Sequence, residues 1–138
     1  MAINIFDLNW IGIIIASIVY FIFGGLWFSP IGFQKQWDKA IGFDRQKTWK
    51  PTAIYYFGPF VSGLIASVAH AILIQNTKID SLFDSITLGL ITGLGFAFAI
   101  SFINAITPKM KNPILFGLIT GLYHTTGFVI ISVIIYLL

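Results

Sequence analysis

With 138 residues, 57% of them hydrophobic and only 9% charged, the chain cannot present the surface of a water-soluble globule, which needs about 25% charge. The absence of cysteine excludes disulfides, thiol catalysis and Cys-based metal sites. A net charge of +3 from so few basic residues excludes a nucleic-acid footprint.

The charges fall in short stretches and leave four uncharged, mostly apolar runs: Leu8–Gln34, Pro51–Thr77, Ser85–Pro108 and Asn112–Leu138. About 20 apolar residues at a helical rise of 1.5 Å cross a hydrocarbon core of roughly 30 Å. The sequence therefore predicts an all-α membrane protein. It is a four-transmembrane-helix bundle forming a single integral domain over residues 1–138, with spans near 5–29, 52–75, 81–106 and 113–138.

The first span has Asp7 as its only preceding charge and no small-x-small cleavage site, so it reads as a retained helix and not as a signal peptide. Pro30 ends it, because the residue before a proline is pushed out of the α region. Ser29-Pro30 also suits the N-cap and first turn of a new helix. Phe33, Trp37, Ala40 and Ile41 then recur at helical spacing, with Gln34, Lys35, Asp38 and Lys39 opposite. This predicts a short amphipathic interfacial helix over 30–41, with Gly42 ending it. Trp27, Trp37 and Lys35 are its expected membrane-interface anchors.

The second span carries Pro59 in its first turns, where a kink is expected. A short link then leads to the third span, whose Ser81-x-x-Asp84 matches a capping box. Thr107-Pro108 ends the third span, and Asn112-Pro113 starts the fourth with the same cap-plus-proline signal. Gly89–Leu94 and Gly117–Leu122 both read GLITGL. Such glycine spacing permits close helix approach, either within the chain or between copies.

Every basic residue except Lys78 falls in the first or third loop. Both loops lie on one side of a four-span chain. The positive-inside rule then places loops 30–51 and 107–112 in the cytoplasm and both termini outside, in a cell inner (cytoplasmic) membrane. The lipid bilayer is the expected partner, and the small bundle is expected to form a homo-oligomer.

Polar side chains inside the spans mark candidate functional sites, since each is costly in lipid. His124 and His70 lead, with Thr92 and Asn104 as further polar groups of the bundle core. A histidine here suits a proton relay, a metal contact or a substrate contact, and the bland reading is a neutral ring satisfied by a neighbouring helix. The two differ in depth by about 12 Å along the helix axes, which argues against a shared haem. Asp7, Asp80 and Asp84 could form an outer acidic mouth, although Asp80 and Asp84 also suit a helix N-terminus. No catalytic, cofactor or metal motif is present, and glutamate does not occur.

The N-terminal third carries a recognisable pattern. Asn9-Trp10, then Gly25-Leu26-Trp27-Phe28-Ser29-Pro30, then Phe33, Lys35 and Trp37, resembles the family called domain of unknown function 1761. Phe28 stands where that pattern often has tyrosine, and Gln34 where it often has glycine. The resemblance implies a small bacterial membrane protein with four spans and carries no established activity.

Two functions remain for such a chain. One is an oligomeric channel or transporter for a small solute or cation, lined by the polar core residues. The other is a non-transporting partner or scaffold subunit, packing through its glycine faces and surface helix.

Overall fold

A computed structural model describes residues 4–138. Residues 1–3 of the expected domain lie outside the described residues. Helices α1 (Trp10–Trp27), α2 (Gln34–Ile41), α3 (Ile54–Thr77), α4 (Leu82–Thr92), α5 (Ala99–Ala105) and α6 (Pro113–Leu137) follow one another, and a π-helical segment, Gly93–Phe98, joins α4 to α5. Among the described residues four stretches are long and apolar enough to cross a membrane: α1, α3, the continuous Leu82–Ala105, and α6. The protein is an all-helical, multi-pass membrane bundle.

Local chemistry sets the helix starts. The Asn9 side chain accepts the Gly12 N–H at 3.0 Å and caps α1. Asn112 does the same for α6 through the Leu115 N–H at 3.1 Å, with Pro113 following. Ser81 Oγ accepts the Asp84 N–H at 3.0 Å and donates to the Asp84 carboxylate at 2.6 Å. The capping pair thus forms, but Asp84 reaches the serine hydroxyl and not a backbone N–H.

The first corner differs from the sequence expectation. α1 ends at Trp27, and α2 begins at Gln34, four residues after Pro30. Between them the Gly32 N–H donates to the Ser29 carbonyl at 2.9 Å, and the Phe33 N–H donates to the Trp27 carbonyl at 2.7 Å. Ser29 spends its hydroxyl backwards, on the Leu26 carbonyl at 2.7 Å, so it caps nothing ahead. A Cβ at Gly32 would strike the Trp27 and Leu26 carbonyl oxygens, so only glycine fits this closed turn. Gly42, at φ +73°, ends α2 in the left-handed region, as its position suggested.

α2 lies against the bundle. Trp37 packs on Phe28 and Phe116, with ring centroids 5.9 and 6.2 Å apart, and the Asn112 N–H donates to the Ala40 carbonyl at 2.9 Å. The end of the bundle that carries α2 and both lysine-rich loops is called the basic end below. The opposite end, with the start of α1 and the end of α6, is called the terminal end.

α6 is the hub. It packs against α1, α2, α3, α4, the π segment and α5, and is the most buried of the four spans. The two GLITGL strings meet in this packing, and they work differently. In the third span Gly89 and Gly93 let backbone approach backbone: a Cβ there would lie 2.5 Å from Val129 Cα and 2.7 Å from Thr125 Cα. In α6, Gly117 and Gly121 instead receive the Phe102 and Phe98 rings. The glycine faces therefore serve packing within the chain.

This arrangement explains the π segment. Gly89 and Gly93 are four residues apart, as are Phe98 and Phe102, but Gly93 and Phe98 are five apart. In an uninterrupted α-helix a five-residue step turns about 140° past one full turn. The wider π turn absorbs the extra residue. All four side-chain positions then face α6 along one stripe.

Candidate functional site

The site begins with two tyrosines in the middle of apolar spans. Tyr20 of α1 lies where neither neighbour has a side chain. Its ring is flanked by Gly63 of α3 and Gly127 of α6, and a Cβ on Gly63 would sit 2.7 Å from Tyr20 Cδ1. This slot buries the ring between apolar spans. The Tyr20 hydroxyl lies 2.7 Å from His124 Nδ1. Tyr123 stacks beside it, with centroids 5.2 Å apart, and packs in turn on Phe23 and Phe28.

Toward the basic end, the space between α1 and α3 is not filled. It forms a cavity of 920 Å³, bounded by α1, α2, residues 43–51, the start of α3, and Tyr123 and His124 of α6. That size suits a small organic molecule. Its walls are mainly aromatic. Its exposed rim includes Ile22 and Gly25 on α1 and Tyr55 and Tyr56 on α3, all within or beside the apolar spans. The opening therefore faces sideways, where lipid lies.

Arg45 holds the loop that closes the basic side. Its Nε and Nη2 donate to the two Asp38 carboxylate oxygens, each at 2.7 Å. The guanidinium also lies 4.4 Å from the Trp49 ring centre and 5.1 Å from that of Phe43. The hydrogen bonds to Asp38 push its pKa above the ordinary guanidinium value, so it stays cationic at any working pH. Trp49 continues onto Tyr55 of α3, with centroids 5.5 Å apart. Residues 43–51 thus form an aromatic strap from α2 to α3.

The structure distributes the residues that the sequence singled out. His124 lines the cavity. His70 and Thr92 meet elsewhere, with His70 Nε2 2.9 Å from Thr92 Oγ1, while His70 Nδ1 donates to the Ala66 carbonyl at 2.8 Å. His70 is buried against Phe128, away from the cavity. Asn104 is exposed near the basic end of the third span. Asp84 is engaged with Ser81, Asp7 accepts from the Asn4 side chain at 2.5 Å, and Asp80 offers its backbone carbonyl to the Tyr136 hydroxyl at 3.1 Å. Among the described residues no three histidine or acidic side chains gather into a metal-sized cluster. Trp27 and Trp37 pack inward on aromatic rings, and Lys35 is exposed.

Three residues of this site, Tyr20, Tyr123 and Arg45, were not picked out by sequence reasoning. The tyrosines carried a usable signal. A phenol at mid-span must find a partner there for the same reason as a histidine. Arg45 carried none, since a basic residue in a basic loop looks like every other.

The model of a family described as "Protein of unknown function (DUF1761)" matches residues 11–136. No curated protein and no solved structure matches the chain. The match spans nearly the whole sequence, and the chain belongs to that family.

Proposed function

We propose that this member of the DUF1761 family binds a small solute in the cavity at its basic end and carries it across the membrane. One observation supports this above the rest: the cavity reaches from a lateral opening to a polar pair, Tyr20–His124, near the middle of the span. Beyond that pair the terminal half is closed by Ile13, Ala16, Ile131 and Ile135, all buried. A pore open at both ends is therefore not the form described. A carrier that opens alternately to each side fits better, with the solute bound near mid-membrane.

His124 is the binding residue of this proposal. His70 and Thr92 satisfy each other between α3 and α4 and would support the fold around the site. Asn104 would contact solute only at the basic end. The lysine distribution supports a cytoplasmic placement of the basic end in the inner membrane, with both termini outside. Self-association into a homo-oligomer belongs to the same proposal, and cross-linking in native membrane tests it.

Transport is tested by flux into liposomes holding the purified full chain. Protons, sodium, potassium and an uncharged aromatic solute are compared. Gly25 lines the cavity and has open space where its Cβ would stand, so Gly25→Trp plugs the cavity with little clash. At least one flux is expected to exceed that of empty liposomes and to vanish in Gly25→Trp. Flux equal to empty liposomes for all four would remove transport.

A further inference from the structure

The cavity has a definite chemical polarity, and its ligand class follows from it. This inference rests on the binding reading above and makes it specific.

The closed end holds a hydrogen bond whose direction sets what it offers. The Tyr20 hydroxyl lies 2.7 Å from His124 Nδ1, and the Tyr123 side chain is its other hydrogen-bonding neighbour. With Tyr20 donating to the imidazole, Nδ1 is an acceptor. A neutral imidazole then carries its hydrogen on Nε2. Among the described residues no protein group is recorded as a partner for that nitrogen, and His124 lines the cavity. The closed end therefore offers one donor to whatever enters.

The rim removes charge from consideration. Asp38 and Arg45 neutralise each other through two hydrogen bonds, and the guanidinium is further covered by Trp49 and Phe43. Among the described residues that line the cavity, Arg45 is the one permanent charge, and there is no carboxylate. An organic cation would find no free carboxylate, and an organic anion would find no free cation. Leaving either charge unpaired in this setting is costly.

The walls select shape. Trp37, Trp49, Tyr55, Tyr56, Phe28 and Tyr123 present rings from α2, α3, α6 and the segments on either side of α2. Flat rings gain offset-stacked and edge-to-face contacts with such walls that an alkyl chain does not. The exposed rim lies on the span faces of α1 and α3, so entry from the lipid suits a lipophilic molecule.

We infer that the cavity binds an uncharged, flat aromatic carbonyl compound of the quinone class, taken from the bilayer, with a carbonyl oxygen accepting a hydrogen bond from His124 Nε2.

Calorimetry on the full chain in nanodiscs, corrected with empty nanodiscs, tests this with three probes. Menadione is a flat quinone, 2-methylnaphthalene has the same ring skeleton without carbonyls, and tetraphenylphosphonium is a lipophilic cation. Menadione is expected to bind about tenfold more tightly than 2-methylnaphthalene, the scale of one hydrogen bond. That preference is expected to fall to parity in His124→Leu and in Tyr20→Phe. Tyr20→Phe keeps the ring in its glycine slot, so it reads the hydrogen bond without emptying the core. The chain has two histidines, so ¹⁵N spectra of histidine-labelled protein resolve them. The His124 signal is expected in the Nε2–H form, to shift with menadione, and to lose that form in Tyr20→Phe.

Equal binding of the two ring compounds, both lost in Gly25→Trp, would overturn the ligand class and leave the binding cavity standing. So would preferential binding of tetraphenylphosphonium. If no probe binds the wild type, or if binding survives Gly25→Trp, the ligand class and the binding cavity both fall.

Discussion

The two sides of this bundle use the same residue types for opposite purposes. Where the third span meets α6, glycines remove side chains so that helices touch: Gly89 meets the backbone of Val129, and Gly117 and Gly121 receive the Phe102 and Phe98 rings. Between α1 and α3 toward the basic end, Gly25 has nothing within 4 Å and borders a cavity, and Trp37 and Trp49 line that open space. In lipid there is little hydrophobic gain from bringing apolar helices together, so close packing must supply the attraction. Concentrating tight contacts between the third span and α6 leaves the other side free to hold a space.

The largest expected break in this contrast is insertion of one alanine after Ala97. The single π turn absorbs one extra residue and not two, so the insertion would rotate Phe98 and Phe102 by about 100° relative to Gly89 and Gly93. One pair must then leave α6. Loss of the folded form in a detergent thermal melt is expected, and a melt like wild type would show the stripe to be unimportant. Next comes Gly127→Ala, which drives a methyl into the Tyr20 ring. A destabilisation of about 1–3 kcal/mol is expected from overpacking, measured by steric-trap or denaturant unfolding.

Thr92→Val removes the hydroxyl facing His70 and keeps the shape. Polar pairs between helices in membranes average about 0.6 kcal/mol, so a small loss is expected in the same assay. Arg45→Lys cannot reproduce the two-point contact with Asp38. A cost of about 0.2–1 kcal/mol is expected, with faster tryptic cutting at Lys47 as the strap loosens. Because pairing raises the Arg45 pKa, its contribution is present below the unfolded value and lost only as pH climbs past the folded one. Strap cleavage in the wild type is therefore expected to show no step from this group across neutral pH. Gly25→Ala stands at the small end. With open space around the new methyl, helix propensity alone predicts neutrality or a gain of up to about 1 kcal/mol.

The sequence made the four spans legible because charge reports on solvent, and a run such as Pro51–Thr77 has one solvent it can occupy. It also made caps at Asn112 and Ser81 legible, since these depend on neighbours within one turn. Which residue meets which was less accessible. GLITGL occurs twice, and nothing in the string says that one copy meets backbone and the other meets phenyl rings. The π segment left a trace in the four-five-four spacing of Gly89, Gly93, Phe98 and Phe102, but that spacing has meaning only once α6 is known to lie opposite. The cavity is an absence of side chains in space, formed by elements as distant as Ile22 and Tyr123, and no local pattern encodes it. His124 was legible as a costly polar group. Its partner, Tyr20, was hidden among rings that also serve as ordinary apolar bulk.

The central position of α6 bears on how the chain is made. It is the last of these helices in the sequence, yet every other span packs on it. Spans emerge from the ribosome in order. The first three must therefore wait in the bilayer with their small-residue faces uncovered, held by little except lipid, until the fourth arrives. A translation stall before residue 113 would leave three inserted helices lacking their common partner, a natural substrate for membrane quality-control proteases.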